Sequence, residues 1–371
     1  MKRNILALAA CSLFAGSALA QSSVTIFGLL DTGVTYTDKV LAAGAKAPGP
    51  LWSVHPGAMQ ASRLGFRGIE DLGGGTNAVF QLESGINVDT GSFAQGGIAF
   101  GRRSFVGLNG PWGAILAGRQ TDPLDDLGAL TSNLDFGAQV APIHGLDRTY
   151  TDRTNNSLRY NSPRIAGFQG TAMVGLGENP DDTDAGRVLA LGGDYVLPNF
   201  RIAAGYFESH LGALSADAGF ARIGAKGGQP GDVALRTFTV ASAYQWGPAR
   251  LHASYSDSRQ PLASAGAART LIGATAQRAN IYDVGFSYAV TPALAAAFSV
   301  IRDNVHFVAA AGGHLTQYNV GLDYFLSKRT DLYFNLGRLS AGGMDSPGMD
   351  PGVPGADRTQ RLARVGVRLK F

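Results

Sequence analysis

Six histidines are spread along the 371-residue chain: His55, His144, His210, His252, His306 and His314. No two have the spacing that holds a metal ion on one element, and none sits in a motif that supplies a serine nucleophile with a base. Gly73-Gly74-Gly75 is not followed by Lys-Ser or Lys-Thr, so it is no phosphate loop. An enzyme reading survives only if the fold brings a serine or aspartate to one of the histidines. What remains is fixed charge. Arg63 and Arg67 alternate with Leu64 and Phe66, and Arg153 and Arg159 have the opposite parity to Leu158 and Tyr160. If the apolar set faces one way, these four arginines face the other. Arg102 and Arg103 have opposite parity, so one of them joins the polar face. A guanidinium stays charged at every working pH, so a group of them acts on ions rather than on bonds. For any single arginine the plain alternative is a solvated rim residue.

The elements that must position these charges are strands. The last segment reads Ala363, Val365, Val367, Leu369 and Phe371 against Arg364, Gly366, Arg368 and Lys370. This is period-2 alternation, one apolar face and one wet face. By itself it also fits an ordinary edge strand, but the pattern recurs throughout. Leu332, Phe334 and Leu336 oppose Asp331, Tyr333, Asn335 and Gly337, and Tyr318, Val320, Leu322 and Tyr324 oppose Gln317, Asn319, Gly321 and Asp323. Sixteen such strands are predicted, from Ser23–Tyr36 and Met59–Asp71 to Gln360–Phe371. Short connections such as Gly73–Gly75, Pro111–Trp112, Trp246–Pro248 and Thr291–Pro292 alternate with long ones such as Thr37–Ala58, Thr121–Tyr150, His210–Val233 and Ser340–Thr359. A soluble sandwich has no reason to keep that asymmetry; a transmembrane β-barrel with short inner turns, long outer loops and a wet lumen has. The expected fold is an all-β, 16-stranded antiparallel barrel in one domain, residues 21–371.

The ends and composition agree with export. Lys2 and Arg3 precede an uncharged stretch from Ile5 to Ala20 that closes on Ala18-Leu19-Ala20, so residues 1–20 read as a cleaved signal peptide. Leu8-Ala9-Ala10-Cys11 also resembles a lipobox, although its apolar core would be short. Cleavage after Ala20 removes Cys11, the one cysteine, and leaves 29 basic against 28 acidic residues. That balance offers no strong field for nucleic acid. Glycine, at 51 residues, signals tight turns and crowded strand faces. The 18-residue uncharged run Val284–Ile301 is long enough for a membrane helix, but Thr291-Pro292 divides it into two alternating halves.

Several segments resemble the trimeric general-diffusion porins of Gram-negative outer membranes, in the branch typical of beta-proteobacteria. They are Ser23-Val24-Thr25-Ile26-Phe27-Gly28, the run Ser62-Arg63-Leu64-Gly65-Phe66-Arg67-Gly68-Ile69-Glu70-Asp71, Phe80-Gln81-Leu82-Glu83-Ser84-Gly85, Arg103-Ser104-Phe105-Val106-Gly107-Leu108, Asn155-Asn156-Ser157-Leu158-Arg159-Tyr160 and the terminal Val365–Phe371. Leu369 stands where the family often has histidine.

The resemblance implies that the third long loop, Thr121–Tyr150, folds into the pore and faces wall arginines at Arg63, Arg102 and Arg153. It selects Arg102 over Arg103. Asp135 matches a usually acidic loop position and Thr131 stands at another, for which Asp125 and Asp126 either compensate or cap a helical turn. Arginines in excess of facing carboxylates favour anions. The resemblance further implies a homotrimer, with Gly28, Gly33, Gly65 and Gly107 packed between subunits. It implies contact with outer-membrane lipid and lipopolysaccharide, recognition of Phe371 by the barrel-insertion machinery, small hydrophilic solutes and ions as cargo, and no cofactor or metal. Asp181, Asp182 and Asp184 read either as a divalent-cation bridge to lipopolysaccharide or, preferably, as a solvated acidic loop. A ligand-specific channel is the nearest alternative function.

Overall fold

The computed structural model describes residues 23–41, 47–150, 153–212, 229–267, 271, 275–346, 348–349 and 355–371. The expected signal peptide, Cys11 and the expected cleavage site lie outside them. Strands β1 (Ser23–Val40), β2 (Gly49–Pro56), β3 (Arg63–Asp71), β4 (Asn77–Gly85), β5 (Arg103–Gly110), β6 (Gly113–Thr121), β7 (Arg153–Asn161), β8 (Phe168–Gly175) and β9 (Val188–Val196) are followed by β10 (Phe200–His210), β11 (Val233–Trp246), β12 (Ala249–Arg259), β13 (Ala276–Thr291), β14 (Leu294–Phe307), β15 (Gly313–Phe325), β16 (Thr330–Gly342) and β17 (Thr359–Lys370). Antiparallel neighbours run round the sheet, and β1 pairs with β17 from Leu29↔Lys370 to Thr37↔Leu362, which closes the barrel and removes both edges.

The seventeen strands make sixteen staves. β2 and β3 pair in turn with the upper and lower parts of β1, Val40↔Gly49 to Thr32↔Pro56 and then Leu29↔Arg63 to Ser23↔Ile69. They are one stave broken at residues 57–62. This corrects the expected Met59–Asp71 strand: its first residues form an inward excursion, and part of the expected first loop is strand. Asp31 explains the break. Its buried carboxylate accepts the N–H groups of Met59 (3.0 Å) and Gln60 (2.7 Å) and the Tyr333 hydroxyl (2.7 Å). Ser62 Oγ donates to the Asp31 carbonyl and accepts its N–H, both at 2.9 Å. Gly57, at φ 67°, turns the chain inward into this clasp.

The alternation read from the sequence fixes the faces. Val365, Val367 and Leu369 are exposed on the outside, while Arg364 and Arg368 are buried toward the lumen. Charges cost little there and several kcal/mol on the lipid side. The lumen is nevertheless not uniformly polar. Phe207, Leu235, Ile281, Ile301, Leu315 and Leu339 also point inward, none more than 2% exposed, and pack with Phe136, Val140, Ile143 and Leu146 of the 122–150 segment. The long-loop half of the inner wall along β10–β16 is therefore an apolar seat. At about 1.5–3 kcal/mol per fully buried side chain, such a seat outweighs what polar contacts alone would give.

The glycines expected between subunits are used within the barrel. Gly28 leaves room for the Phe371 ring, Gly33 for Tyr333, Gly65 for Phe27 and Gly107 for Leu116.

Candidate functional site: a loop held across the lumen

Residues 122–150 form the third connection at the long-loop end. They run through short helical turns at Asp125–Leu130, Asn133–Phe136, Gly137–Val140 and Ala141–His144. Asp122 and Arg148 close the base of the segment at 2.7 Å, with the Arg148 guanidinium 3.9 Å from the Phe207 ring centroid. Thr131, at the expected acidic position, serves the backbone instead: its hydroxyl donates to the Gly128 carbonyl (2.9 Å) and accepts from the Asn133 N–H (3.2 Å).

Besides the apolar seat and the hydrogen bonds of Gln139 to Gln317 and Asn319 of β15, two clusters of contacts hold the segment inside the barrel. At one, Gly137 lies directly on the Met59 backbone, where any side chain would collide, and Ala138 N–H donates to the Ala58 carbonyl at 3.2 Å. The broken second stave thus reaches in to meet the loop. At the other, Asp283 of β13 accepts both the Ser132 hydroxyl (2.6 Å) and its N–H (2.7 Å), and lies 3.1 Å from His144 Nε2. His144 Nδ1 meets Asp147 at 2.9 Å, and Asp147 also accepts from Ser256 of β12 at 2.9 Å. Burial would lower the His144 pKa, but Asp147 and Asp283 outweigh it and push it up to about 10. The imidazole is held charged between two carboxylates.

This cluster brings Ser132 Oγ within 3.2 Å of His252 Nε2, an arrangement the sequence did not show. It is not a nucleophile and its base. The Ser132 hydroxyl proton is committed to Asp283, and Ser132 and Asp283 have no exposed surface.

The arginines gather on the wall of β3–β7. Arg63 Nε donates to the Ala61 carbonyl at 3.0 Å, and its Nη1 is 3.8 Å from Glu83. Arg102 binds the same Glu83 carboxylate directly, and Arg153 Nε donates to the Arg102 carbonyl at 3.0 Å. Arg102 precedes β5 and so escapes the parity rule. Arg103 has lumen parity, and both point inward, where Arg103 acts electrostatically on Arg63, Glu83 and Asp125. Glu83 was missed, although its parity opposite Phe80 and Leu82 places it inside.

The acidic residues divide. Asp125 lies in the field of Arg153 and Arg103, and its enclosure pushes its pKa up to about 6 against that attraction. Asp126 is bound to Arg159 at 2.5 Å. The expected opposition of Asp135 to the three arginines is amended: its nearest basic side chains are Arg250 (3.8 Å) and the His252 imidazole (4.0 Å) on β12. Neither Asp125 nor Asp126 caps the turn at its start; the Leu124 N–H there is taken by Asp122 at 2.9 Å. Two open cavities adjoin the loop. One of about 620 Å³ is bordered by Arg63, Arg102, Asp125, Asp135, Asp323 and Arg368. The other, about 870 Å³, lies over the short turns and is bordered by Asp125, Asp126 and Arg159. Arg153 borders neither and is only 4% exposed. In the acidic loop Asp184 pairs with Arg187 at 2.7 Å, and no group of residues suited to a metal ion occurs among the described residues.

A closed sixteen-stave barrel with an infolded third loop and charged lumen walls defines a diffusion channel of the bacterial outer membrane. Residues 7–343 match the Gram-negative porin family, to which the chain belongs. It is 31% identical to outer membrane porin protein 32 of Delftia acidovorans, over the full length of both chains. It is 30% identical to an outer membrane porin protein of Bordetella pertussis, over 90% of this chain and 93% of that one. Among solved structures, an anion-selective porin from Comamonas acidovorans superposes with a TM-score of 0.74 at 26% identity, covering 95% of this chain and all of that one. The trimer form of OmpT from Vibrio cholerae shares the fold, with a TM-score of 0.67 at 15% identity over 94% and 99% of the two chains. The chain is thus an outer-membrane porin, a channel without enzymatic chemistry.

Proposed function

We propose that this porin passes small hydrophilic solutes by passive diffusion, with a modest preference for anions, and works as a homotrimer. The observation that carries the preference is the charge count at the loop. Four guanidiniums, Arg63, Arg102, Arg103 and Arg153, act together on two carboxylates, Glu83 and Asp125. The other loop acids bordering the cavities, Asp126 and Asp135, are each matched by an arginine of their own. The Debye length is about 8 Å at physiological salt, so a passage of that width stays within the field of the surplus charge. The likeness to a porin described as anion-selective supports the same sign.

The trimer is supported by the shared fold of a porin described in trimer form and by the apolar outward residues of the early staves, Ile26, Val34, Phe66, Val106 and Ile115. Single-channel recording across a KCl gradient tests the selectivity: the reversal potential is expected to take the sign for chloride. A potassium-preferring channel in dilute KCl overturns the charge reading. Cross-linking that yields only monomers in mild detergent overturns the trimer.

A further inference from the structure

The outward face of β13–β16 changes character at one level. Reading away from the short turns, β14 presents Phe298 and Val300 and then Arg302, and β16 presents Phe334 and Leu336 and then Arg338. Between them β15 passes from Val320 and Tyr318 to Thr316. The register aligns Arg302 with Thr316, Thr316 with Ser340, and Tyr318 with Arg338. Two strand spacings and one two-residue step put the two arginine Cα atoms about 12 Å apart, close enough for both side chains to reach one anion. Arg302 leans that way: its Nη1 donates to Thr316 Oγ1 at 2.6 Å and its Nε to Asn304 at 3.1 Å.

Two other outward arginines near the long-loop rim are neutralised, whereas Arg361 of β17 also faces outward and stands opposite Arg338 in the register. Arg236 pairs with Glu208 at 2.7 Å, and Arg259 pairs with Asp257 at 2.6 Å. Arg302 and Arg338 have no carboxylate partner among the described residues. Arg302 is eight residues beyond the start of β14 at Leu294. In a tilted strand that is about 20 Å along the barrel axis, near the top of an apolar band about 25 Å tall. Two unneutralised guanidiniums at this edge, with hydroxyls between them and an aromatic ring below, match the phosphate of a lipid headgroup, which arginine binds through paired N–H···O contacts.

We propose that Arg302, Arg338, Thr316 and Ser340 form a binding site for the phosphate of an outer-leaflet glycolipid. In the trimer proposed above, the early staves meet the neighbouring subunits and this face meets lipid.

The test is a titration of the purified, folded porin in non-ionic detergent with fluorescent bisphosphorylated lipid A. R302Q/R338Q is expected to weaken binding at least tenfold, R302K/R338K to recover part of it, and R236Q, which alters a paired arginine, to leave it unchanged. Inorganic phosphate at equal concentration is expected not to displace the lipid. Wild-type affinity in R302Q/R338Q overturns the site. An equal loss in R236Q makes it a general basic belt and also overturns it. Displacement by inorganic phosphate, or equally tight binding of dephosphorylated lipid A, overturns the lipid assignment. Heat-modifiable gel mobility and conductance report folding independently. Should the double variant fail to fold, R338Q alone is held to the same outcomes, with a smaller expected loss of about threefold.

Discussion

Ser132 and Asp283 meet twice, through the hydroxyl at 2.6 Å and the backbone N–H at 2.7 Å, across 151 residues of sequence. This contact joins the loop to the wall where no backbone pairing does. Asp283→Ala removes the carboxylate from both Ser132 and the charged His144, and losing one partner of a buried pair costs about 3–5 kcal/mol. The β12–β13 and β13–β14 pairings are made by backbone and should persist. We expect noisier and larger single-channel currents, faster protease cleavage within residues 122–150, and unchanged heat-modifiable mobility. A quiet channel of ordinary conductance with an uncut loop would show that the apolar seat and the remaining polar contacts hold the segment without Asp283.

The same cluster predicts a pH dependence. The His144 pKa lies above its ordinary value, so its contribution to loop docking is complete below the unfolded pKa of 6.5 and is lost as pH rises through about 10. Current noise should therefore be lowest below about pH 6.5, grow as pH rises from there, and level off above about pH 10. His144→Gln, which keeps a polar side chain but no charge, should abolish that rise. An unchanged rise in the variant would assign it to another group.

Asp125 titrates on the other side of neutrality. Its pKa is raised to about 6, so it loses its negative charge as pH falls through that value. The surrounding arginines do not lose theirs. Anion preference should rise between about pH 7 and 5, measured as a shift in reversal potential, and Asp125→Asn should show the acid value at every pH. A preference that falls on acidification contradicts the assignment.

Arg63 and Arg153 separate charge from architecture. Arg63 borders the 620 Å³ cavity, so Arg63→Ser should widen the passage, raise conductance and reduce anion preference. Arg153 is buried and supports the Arg102 carbonyl at 3.0 Å, so Arg153→Ser should disturb the loop base and selectivity together. Reversal potentials and conductances of the two variants in dilute KCl distinguish the cases. Identical responses would mean both act only as field sources.

The strands were legible because one face of each meets lipid, and period 2 records that directly: Val365, Val367 and Leu369 could be placed from the sequence alone. The stave break was not, because it depends on the Asp31 carboxylate catching backbone N–H groups nearly 30 residues on, and backbone donors leave no mark in the sequence. Inward parity placed Arg63 and would have placed Glu83. It could not place Arg102, which lies outside a strand. The His144–Asp283–Ser132 cluster was hidden for another reason. Its members come from a loop and a strand, and their meeting depends on where the loop folds, which alternation does not encode.

The closure of the barrel gives the last prediction. Phe371 and Gly28 exchange two backbone hydrogen bonds, at 3.0 and 3.1 Å, and the Phe371 ring occupies the space a side chain at position 28 would need. Deleting Phe371 removes both bonds and shortens the β1–β17 seam at its lower end, where the first stave must close against the final strand during insertion. We expect secretion to continue and the yield of folded barrel in the outer membrane to fall, measured by heat-modifiable mobility of membrane fractions. Phe371→Tyr should restore most of the yield, since the outward ring position tolerates a hydroxyl. Gly28→Val attacks the same seam from the other side, forcing the ring away, and should reproduce part of the defect. If the deletion assembles as well as the intact chain, the terminal residue is neither the seam's lock nor an assembly signal, and the remaining β1–β17 pairings suffice.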